Sequence, residues 1–260
     1  TSLEFGQIQE HGITCCYHGW QFDVDGRILD TPAEPPDSPL KDRLHHGAYP
    51  VQEFEGLVFA YMGPLEKRPP FPVFENFNLP GYRTDPWGGN VLPCNWVQIK
   101  ENSVDPAHTA FLHTIADGKG FTDSFGVLPE LDFQQVPNGM IYIAARRVGE
   151  NIWVRMTNQI TPNIHQFAPT WSDGREVVTF VRPMQTHWSV PIDDNSTINL
   201  GFNHYHVDDP DPELLEEGAD FGQVDDRPYA ERQRVPGDYD AHSSIGPIAV
   251  HAREYLGHSD

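Results

Sequence analysis

The chain has only three cysteines in 260 residues, two of them adjacent at Cys15-Cys16 and the third at Cys94. That is too few for a disulfide framework, and adjacent cysteines seldom pair because the ring they would close is strained. The thiols therefore read as free, which fits a reducing cytoplasm and leaves them available to metal. Positive charge is also scarce, with 17 Lys and Arg against 38 Asp and Glu, a formal net charge of −21. A field of that sign repels phosphate backbones and anionic lipid, so nucleic acid and membrane surfaces are excluded as expected partners. No apolar run reaches the roughly 20 residues of a membrane span, and the opening TSLEFGQIQEHG has no basic segment followed by an apolar core. An initiator Met is lacking, and the final EYLGHSD carries no helix-ending signal. The expectation is a fragment truncated at both ends.

What is present divides into three regions. Residues 1–62 are dense in short strand signals: GITCCYHGWQFDVDGRIL alternates around Asp25-Gly26, and YPVQEFEGLVFAYMG breaks at Glu55-Gly56. A small antiparallel β domain is expected there. Residues 63–89 crowd prolines together, which forbids long helices and central strands and reads as a linker or wrapping segment. Residues 90–260 open with helix-like spacing in NWVQIKENSVDPAHTAFLHTIAD, interrupted by Pro106, and continue with strand-like runs: LDFQQV, MIYIAARRV, IWVRMT, IHQFAP, EVVTFVRPM and STINLGFNHYHV. A helix followed by many strands predicts α+β with an antiparallel sheet. The acidic stretch 208–226 lacks calcium-loop spacing and reads as a solvated surface segment.

Two constellations carry chemistry. Cys15 and His18 form a Cys-x-x-His pair that a tight loop can aim at one ion, yet two donors fall short of the four of a zinc site. Cys94 has no Cys or His nearby and reads as a buried core thiol; His11 and the pair His45-His46 read as solvated. Further along, Asp105-Pro-Ala-His108-Thr-Ala-Phe-Leu-His113 spaces two histidines five apart. On a regular helix these point about 140° apart, so a shared ion requires a distortion, by Pro106 or by a wider π-type turn. Without it, one histidine is interior and one exposed. His204 and His206, at strand spacing, face one side and line either a pocket or a polar sheet face.

The context Cys-x-Tyr-His-Gly-Trp-x-Phe-Asp-x-x-Gly-x-Ile from Cys15 to Ile28 closely resembles the second ligand loop of Rieske iron–sulfur domains, where two cysteines and two histidines hold a [2Fe–2S] cluster. The resemblance makes Cys15 and His18 two of the four cluster ligands and Cys16 incidental, with the other two expected upstream of Thr1. Asp-x-x-His-x-x-x-x-His, about 90 residues later, is similar to the mononuclear iron motif of Rieske oxygenases. By that resemblance His108 and His113 bind Fe(II), and Asp105 is a carboxylate that reaches a cluster histidine of a neighbouring subunit. GDYDAHSSIGPI resembles the family's later segment, whose liganding Asp stands before Gly-Pro-Ile; that register selects Asp238, with Asp240 second.

The resemblance covers nearly the whole chain and implies the large subunit of a phthalate dioxygenase-like Rieske non-haem iron oxygenase. Expected with it are a partial all-β Rieske domain followed by a helix-grip catalytic domain, an antiparallel sheet around a long helix. It further implies a ferredoxin or flavin reductase as electron donor, dioxygen and a small aromatic or similar ring substrate, and a homotrimer. The expected reactions are hydroxylation, dihydroxylation or demethylation. Two rivals are an electron carrier without oxygen chemistry, which predicts no second iron, and a metal-free helix-grip binding module.

Overall fold

The computed structural model describes residues 1–115, 123–168, 182–206 and 227–257. The acidic stretch 208–226 and most of EVVTFVRPM lie outside the described residues. The chain divides into two compact units, Thr1–Pro72 and Val73–Asp260.

The first unit holds a four-stranded antiparallel meander of β1 (Gln7–Gln9), β2 (Gly12–Thr14), β3 (Gln21–Phe22) and β4 (Ile28–Asp30). Asp23 makes the turn between β3 and β4: its Oδ1 accepts from the amides of Asp25 (3.0 Å) and Arg27 (2.8 Å). Gly26 completes that turn at φ +87°, where a Cβ would meet the His46 carbonyl oxygen at 2.0 Å. A short helix, α1 (Leu40–Arg43), precedes the hairpin of β5 (Val51–Phe54) and β6 (Leu57–Ala60). Its two-residue loop places Glu55 at φ +45° and Gly56 at φ +81°, the conformation that matches the twist of paired strands. The strand regions expected in residues 1–62 are therefore present, each with the turn residues foreseen.

The second unit is built on a seven-stranded antiparallel sheet. Its strands are β7 (Tyr82–Leu92), β8 (Glu130–Val136), β9 (Gly139–Val148), β10 (Asn151–Ile160), β11 (Ile164–Phe167), β12 (Gln185–Asp193) and β13 (Ser196–His206), in the order β7-β13-β12-β11-β10-β9-β8. Strands β8 to β13 run as a meander and β7 closes the far edge. Residues 82–89, expected inside the Pro-rich linker, are thus strand. Pro86 is tolerated because β7 is an edge strand, where a missing N–H costs no ladder bond on its open side. β12 was not among the expected runs: its buried residues, Thr186 on one face and His187 and Ser189 on the other, are all polar, so it lacks the apolar alternation that marks a strand.

Opposed residues of an antiparallel pair share a face. One face therefore carries the row Gln159, His165, His187, Gly201, Trp87 across β10, β11, β12, β13 and β7. Gly201 is obligatory in that row, since a Cβ there would meet Thr186 O at 2.5 Å and His187 Cβ at 2.7 Å. The other face is sealed by Asn76 and Phe77. Asn76 Nδ2 donates to Thr186 Oγ1 (3.1 Å), Gln166 Nε2 donates to Asn76 Oδ1 (3.2 Å), and Phe77 stacks on His204. His204 bonds Thr186 Oγ1 through Nε2 (3.0 Å) and Thr84 Oγ1 through Nδ1 (3.1 Å), so it is a structural member of a polar sheet face.

Over the first face lies α2 (Trp96–Ser103), begun by Asn95, whose Oδ1 accepts from the Val97 amide at 3.0 Å. Lys100 Nζ donates to Gln159 Oε1 (2.7 Å) and Ile164 O (2.8 Å) and so ties the helix to the sheet. The helical stretch is interrupted around Pro106, as its sequence suggested: after α2 come a 3-10 turn at His108–Ala110 and the single turn α3 (Leu112–Ile115). Two more helices follow the sheet, α4 (Tyr229–Arg232) and α5 (Asp238–Ile245). The α+β class with an antiparallel sheet holds; the longest helices among the described residues are α2 and α5, of eight residues each.

Gly201→Ala is expected to cost about 1–3 kcal/mol in unfolding free energy through overpacking, read from denaturant titration. Burial lowers the His204 pKa to about 4. The unfolded chain, ionising near pH 6.5, therefore takes up that proton first as pH falls. Stability contributed by neutral His204 is complete above about pH 6.5 and is lost toward pH 4, by up to about 1.4 kcal/mol per pH unit. His204→Gln should flatten the fall in denaturant midpoint between pH 7 and pH 5.

Candidate metal centre

The motif that begins at Asp105 is shaped by its own side chains. Asp105 Oδ1 accepts from the Ala107 amide (2.7 Å) and, at 3.4 Å, from that of His108, capping the 3-10 turn just after the end of α2. Thr109 Oγ1 donates to Pro106 O at 2.7 Å. Arg146, buried on the sheet face below, holds the turn through Nη2 to Pro106 O and Thr109 Oγ1, both 3.3 Å, and anchors itself by Nε to Val127 O (2.8 Å). The change from 3-10 turn to α3 at Phe111 supplies the distortion that the five-residue spacing requires, with no π-type turn. The rings of His108 and His113 meet edge to face, centroids 5.3 Å apart.

Asp238 arrives from far along the chain, as the first residue of α5. The segment after that helix docks on the start of α2: Asn95 N donates to Pro247 O (2.8 Å), Gln98 Nε2 to Gly246 O (3.1 Å), and Ala249 N to Gln98 Oε1 (3.0 Å). Gly246, at φ +99°, ends α5 where a side chain would be strained. Tyr239 packs against the core of Leu92, Cys94 and Ile99. Burial pushes the Cys94 thiol up to about 11, consistent with a core cysteine rather than a thiolate.

These contacts bring His113 Nε2 to 3.5 Å from Asp238 Oδ2, and His108 Nε2 to 3.9 Å from Asp238 Oδ1. One donor atom from each of the three residues lies within 4.8 Å of the others. Donors bonded at ~2.1 Å to one ion stand roughly 3 to 4 Å apart, so the set fits a metal, and two imidazoles with one carboxylate are the facial donor set of non-haem Fe(II). The opposite nitrogen of His108, Nδ1, lies 3.5 Å from Asp105 Oδ2. Burial works against protonation of His108, but the Asp105 hydrogen bond and the Asp238 charge outweigh it and raise its pKa. In Asp105 burial is likewise outweighed, by the His108 and Ala107 hydrogen bonds, and its pKa is lowered.

Asp240 has another task. Its carboxylate pairs with Arg232 Nε (2.6 Å) and Arg227 Nη2 (3.3 Å) and accepts from the Gly237 amide at the start of α5 (3.0 Å). This decides between the two aspartates as candidate donors, because Asp240 is turned away to fix the helix that presents Asp238.

In the first unit Cys15 and His18 sit on the loop between β2 and β3. Cys15 N donates to Trp20 O (2.8 Å) and Gly19 N to Cys15 O (3.1 Å), while Gly19, at φ +75°, lets the loop turn back. The Tyr17 and His18 rings are in contact, centroids 4.1 Å apart. Cys15 is a free thiol and His18 is exposed, so the loop offers one sulfur and one nitrogen donor at the surface. Cys16 is exposed and His11 is solvated, as expected.

Sequence reasoning missed Arg146, His165, His187 and His242. All four are buried: Arg146 and His165 lie in runs read only for strand alternation, His242 in the segment read for the Asp238 register, and His187 in β12, which was not among the expected strands. The detectable signal was a histidine or arginine at an inward strand position, where an apolar residue is the rule.

Comparison places these features. Residues 1–55 match the Rieske [2Fe-2S] domain. Along its full length the chain is 45% identical to the tert-butanol monooxygenase / tert-amyl alcohol desaturase oxygenase subunit of Aquincola tertiaricarbonis, covering 59% of that protein. It is 33% identical, again over the whole chain, to the phenoxybenzoate dioxygenase subunit alpha of Ectopseudomonas oleovorans, covering 65% of it. The solved structure of Pseudomonas putida CBB5 NdmA, QL mutant with caffeine, superposes with a TM-score of 0.70 at 19% identity, covering 100% of this chain and 70% of that one. The class these relatives share is that of Rieske oxygenase subunits, and the chain is similar to them. It is also 31% identical to the phthalate 4,5-dioxygenase oxygenase subunit of Pseudomonas putida over 62% of its own length, covering 40% of that protein. It spans roughly three-fifths of the length of the curated relatives it matches. Among the described residues no helix is long and apolar enough to cross a membrane.

Asp240→Asn is expected to destabilise α5 by about 1–3 kcal/mol, since it leaves two half-buried guanidinium groups without their carboxylate. A lowered thermal midpoint that is restored by Asp240→Glu is the outcome to look for.

Proposed function

We propose that this chain is the greater part of an oxygenase component that uses dioxygen to hydroxylate, dihydroxylate or demethylate an aromatic or similar ring compound. The observation that carries the reading is the convergence of His108, His113 and Asp238, from two distant segments, on one point. When Fe(II) is bound there, the metal supplies dioxygen activation next to the substrate.

The chain's own residues do the positioning. His108 and His113 would hold the ion through Nε2, and Asp238 through a carboxylate oxygen. Asp105 Oδ2, 3.5 Å from His108 Nδ1, favours the proton on that nitrogen by its charge, which would leave Nε2 free for the metal. In the first unit, Cys15 and His18 serve as two of four [2Fe–2S] ligands. Residues 1–62 then form the C-terminal part of a Rieske domain, a Pro-rich connection follows, and the remainder is the catalytic domain. Asp105 reaches a cluster histidine of a neighbouring subunit in a homotrimer, which its exposed carboxylate permits. The electron donor is a ferredoxin or an NAD(P)H-dependent flavin reductase, and three free thiols suit a cytoplasmic location.

Iron and sulfide analysis of the full-length protein tests this. About three irons per chain are expected, two in the cluster and one in the mononuclear site; two irons indicate an electron carrier and none a metal-free binding module. Asp238→Ala and His113→Ala should each remove about one iron, whereas Asp240→Asn should keep it. Asp105→Asn should keep the iron and lower product formation about 10- to 100-fold. Mononuclear iron retained by Asp238→Ala would sink the ligand assignment.

A further inference from the structure

On the sheet face over which α2 lies, His187 is buried to 8% exposure, and among the described residues neither of its ring nitrogens has a hydrogen-bond partner. Its neighbours explain why. Across the ladder, His165 is fully engaged: Nδ1 bonds Gln159 Oε1 (2.9 Å) and Nε2 faces Ser189 Oγ (3.2 Å). Gln159 Oε1 also receives Lys100, so it acts as acceptor and places the His165 proton on Nδ1. His187 meets only the edge or face of rings, with centroids at 4.0 Å to His165, 5.1 Å to Phe167 and 5.6 Å to Trp87. Two more buried polar atoms beside it are unbonded, Trp87 Nε1 and Asn199 Oδ1. They belong to the same patch. Gly201 stands between Trp87 and His187 in the row, and Asn199 is two residues from Gly201 on the same face.

Buried polar groups are bonded as a rule, and a cluster of unbonded ones at the face beneath a catalytic segment marks a place for a ligand. We infer that Trp87, His187 and Asn199 form the polar subsite that receives the substrate, and that they select an uncharged molecule bearing a hydroxyl group. Trp87 can only donate, Asn199 Oδ1 can only accept, and a neutral imidazole does one of each; a hydroxyl is the small group that answers a donor and an acceptor together. Burial keeps His187 neutral down to about pH 3. Lys100, whose charge reaches His187, is turned to Gln159 and Ile164. Arg146 and Arg155 lie on the same face and direct their bonds to Val127, Pro106, Thr109 and Ala168 rather than into this patch. The inference rests on the oxygenase reading and names its substrate class.

Equilibrium binding of benzyl alcohol, toluene and benzoate to the full-length protein, by saturation-transfer NMR with calorimetry, tests it. Benzyl alcohol should bind at least about ten-fold more tightly than either analogue, since a site built for a hydroxyl rejects molecules lacking it. His187→Phe and Trp87→Phe should each remove about ten-fold of that affinity, and His187→Gln, which still donates and accepts, should retain most of it. Trp87, half-buried on an edge strand, covers the case in which His187→Phe does not fold. Benzoate binding as tightly as the alcohol, no alcohol binding to the wild type, or alcohol affinity unchanged in the folded Phe variants would each overturn the inference. Iron measured on the same samples separates the two readings. Full iron with non-selective binding removes only the subsite, and selective alcohol binding without mononuclear iron removes only the oxygenase reading.

Discussion

The candidate metal centre depends on the docking of the segment after α5 onto the first turn of α2. Three hydrogen bonds from Asn95, Gln98 and Ala249 join two pieces of chain that are far apart in sequence. Helix α2 delivers His108 and His113 from one side of that joint, and α5 delivers Asp238 from the other. The joint is placed where helix ends leave unpaired amides and carbonyls, so it uses groups that need partners in any case. Tyr239, packed on Leu92, Cys94 and Ile99, adds apolar contact at the same place. Closing so long a loop costs little more than closing a short one, since the entropy grows only with the logarithm of length.

The sheet does more than support α2. Its covered face is unusually polar, with Arg146, Arg155, Gln159, His165 and His187 where apolar residues would suffice for stability. Arg146 clamps the turn that carries His108, and the set of Lys100, Gln159 and His165 fixes the height and rotation of α2 above the strands. Such a network is costly unless each member is satisfied. Most members are; the exceptions on this face include His187, Trp87 Nε1 and Asn199 Oδ1, and also Arg146 Nη1 and Thr157 Oγ1.

Much of the architecture was legible beforehand because its signals are local. Asp25-Gly26 and Glu55-Gly56 are turn residues, with positive φ at Gly26, Glu55 and Gly56, and five of the strands in the large sheet alternate as strands should. β12 and the first part of β7 were not legible. β12 buries Thr186, His187 and Ser189, so its buried residues look like exposed ones. β7 carries Pro86 and two glycines, which only the freedom of an edge position accommodates. Helix α5 was hidden for a similar reason, since DYDAHSSI has little apolar pattern and its register is held by Asp240 with two arginines.

Residue types and spacing alone determined that Cys15 and His18 share a tight loop and that His108 and His113 need a broken helix to act together, whereas an aspartate shortly before Gly246 entered as a candidate donor only through the family resemblance. The first two follow from the covalent chain, because loop closure and helical phase are properties of neighbours. What holds Asp240 away from the candidate site, and which polar residues surround that site, was decided only in three dimensions. Asp238 and Asp240 are equivalent by composition, and only the arginines packed beside α5 turn one of them outward. His187 and His165 are equivalent too, until the ladder gives one of them Gln159 and Ser189 and leaves the other facing rings. Hydrogen-bond satisfaction is settled between segments brought together by the fold, and no stretch of sequence contains both partners.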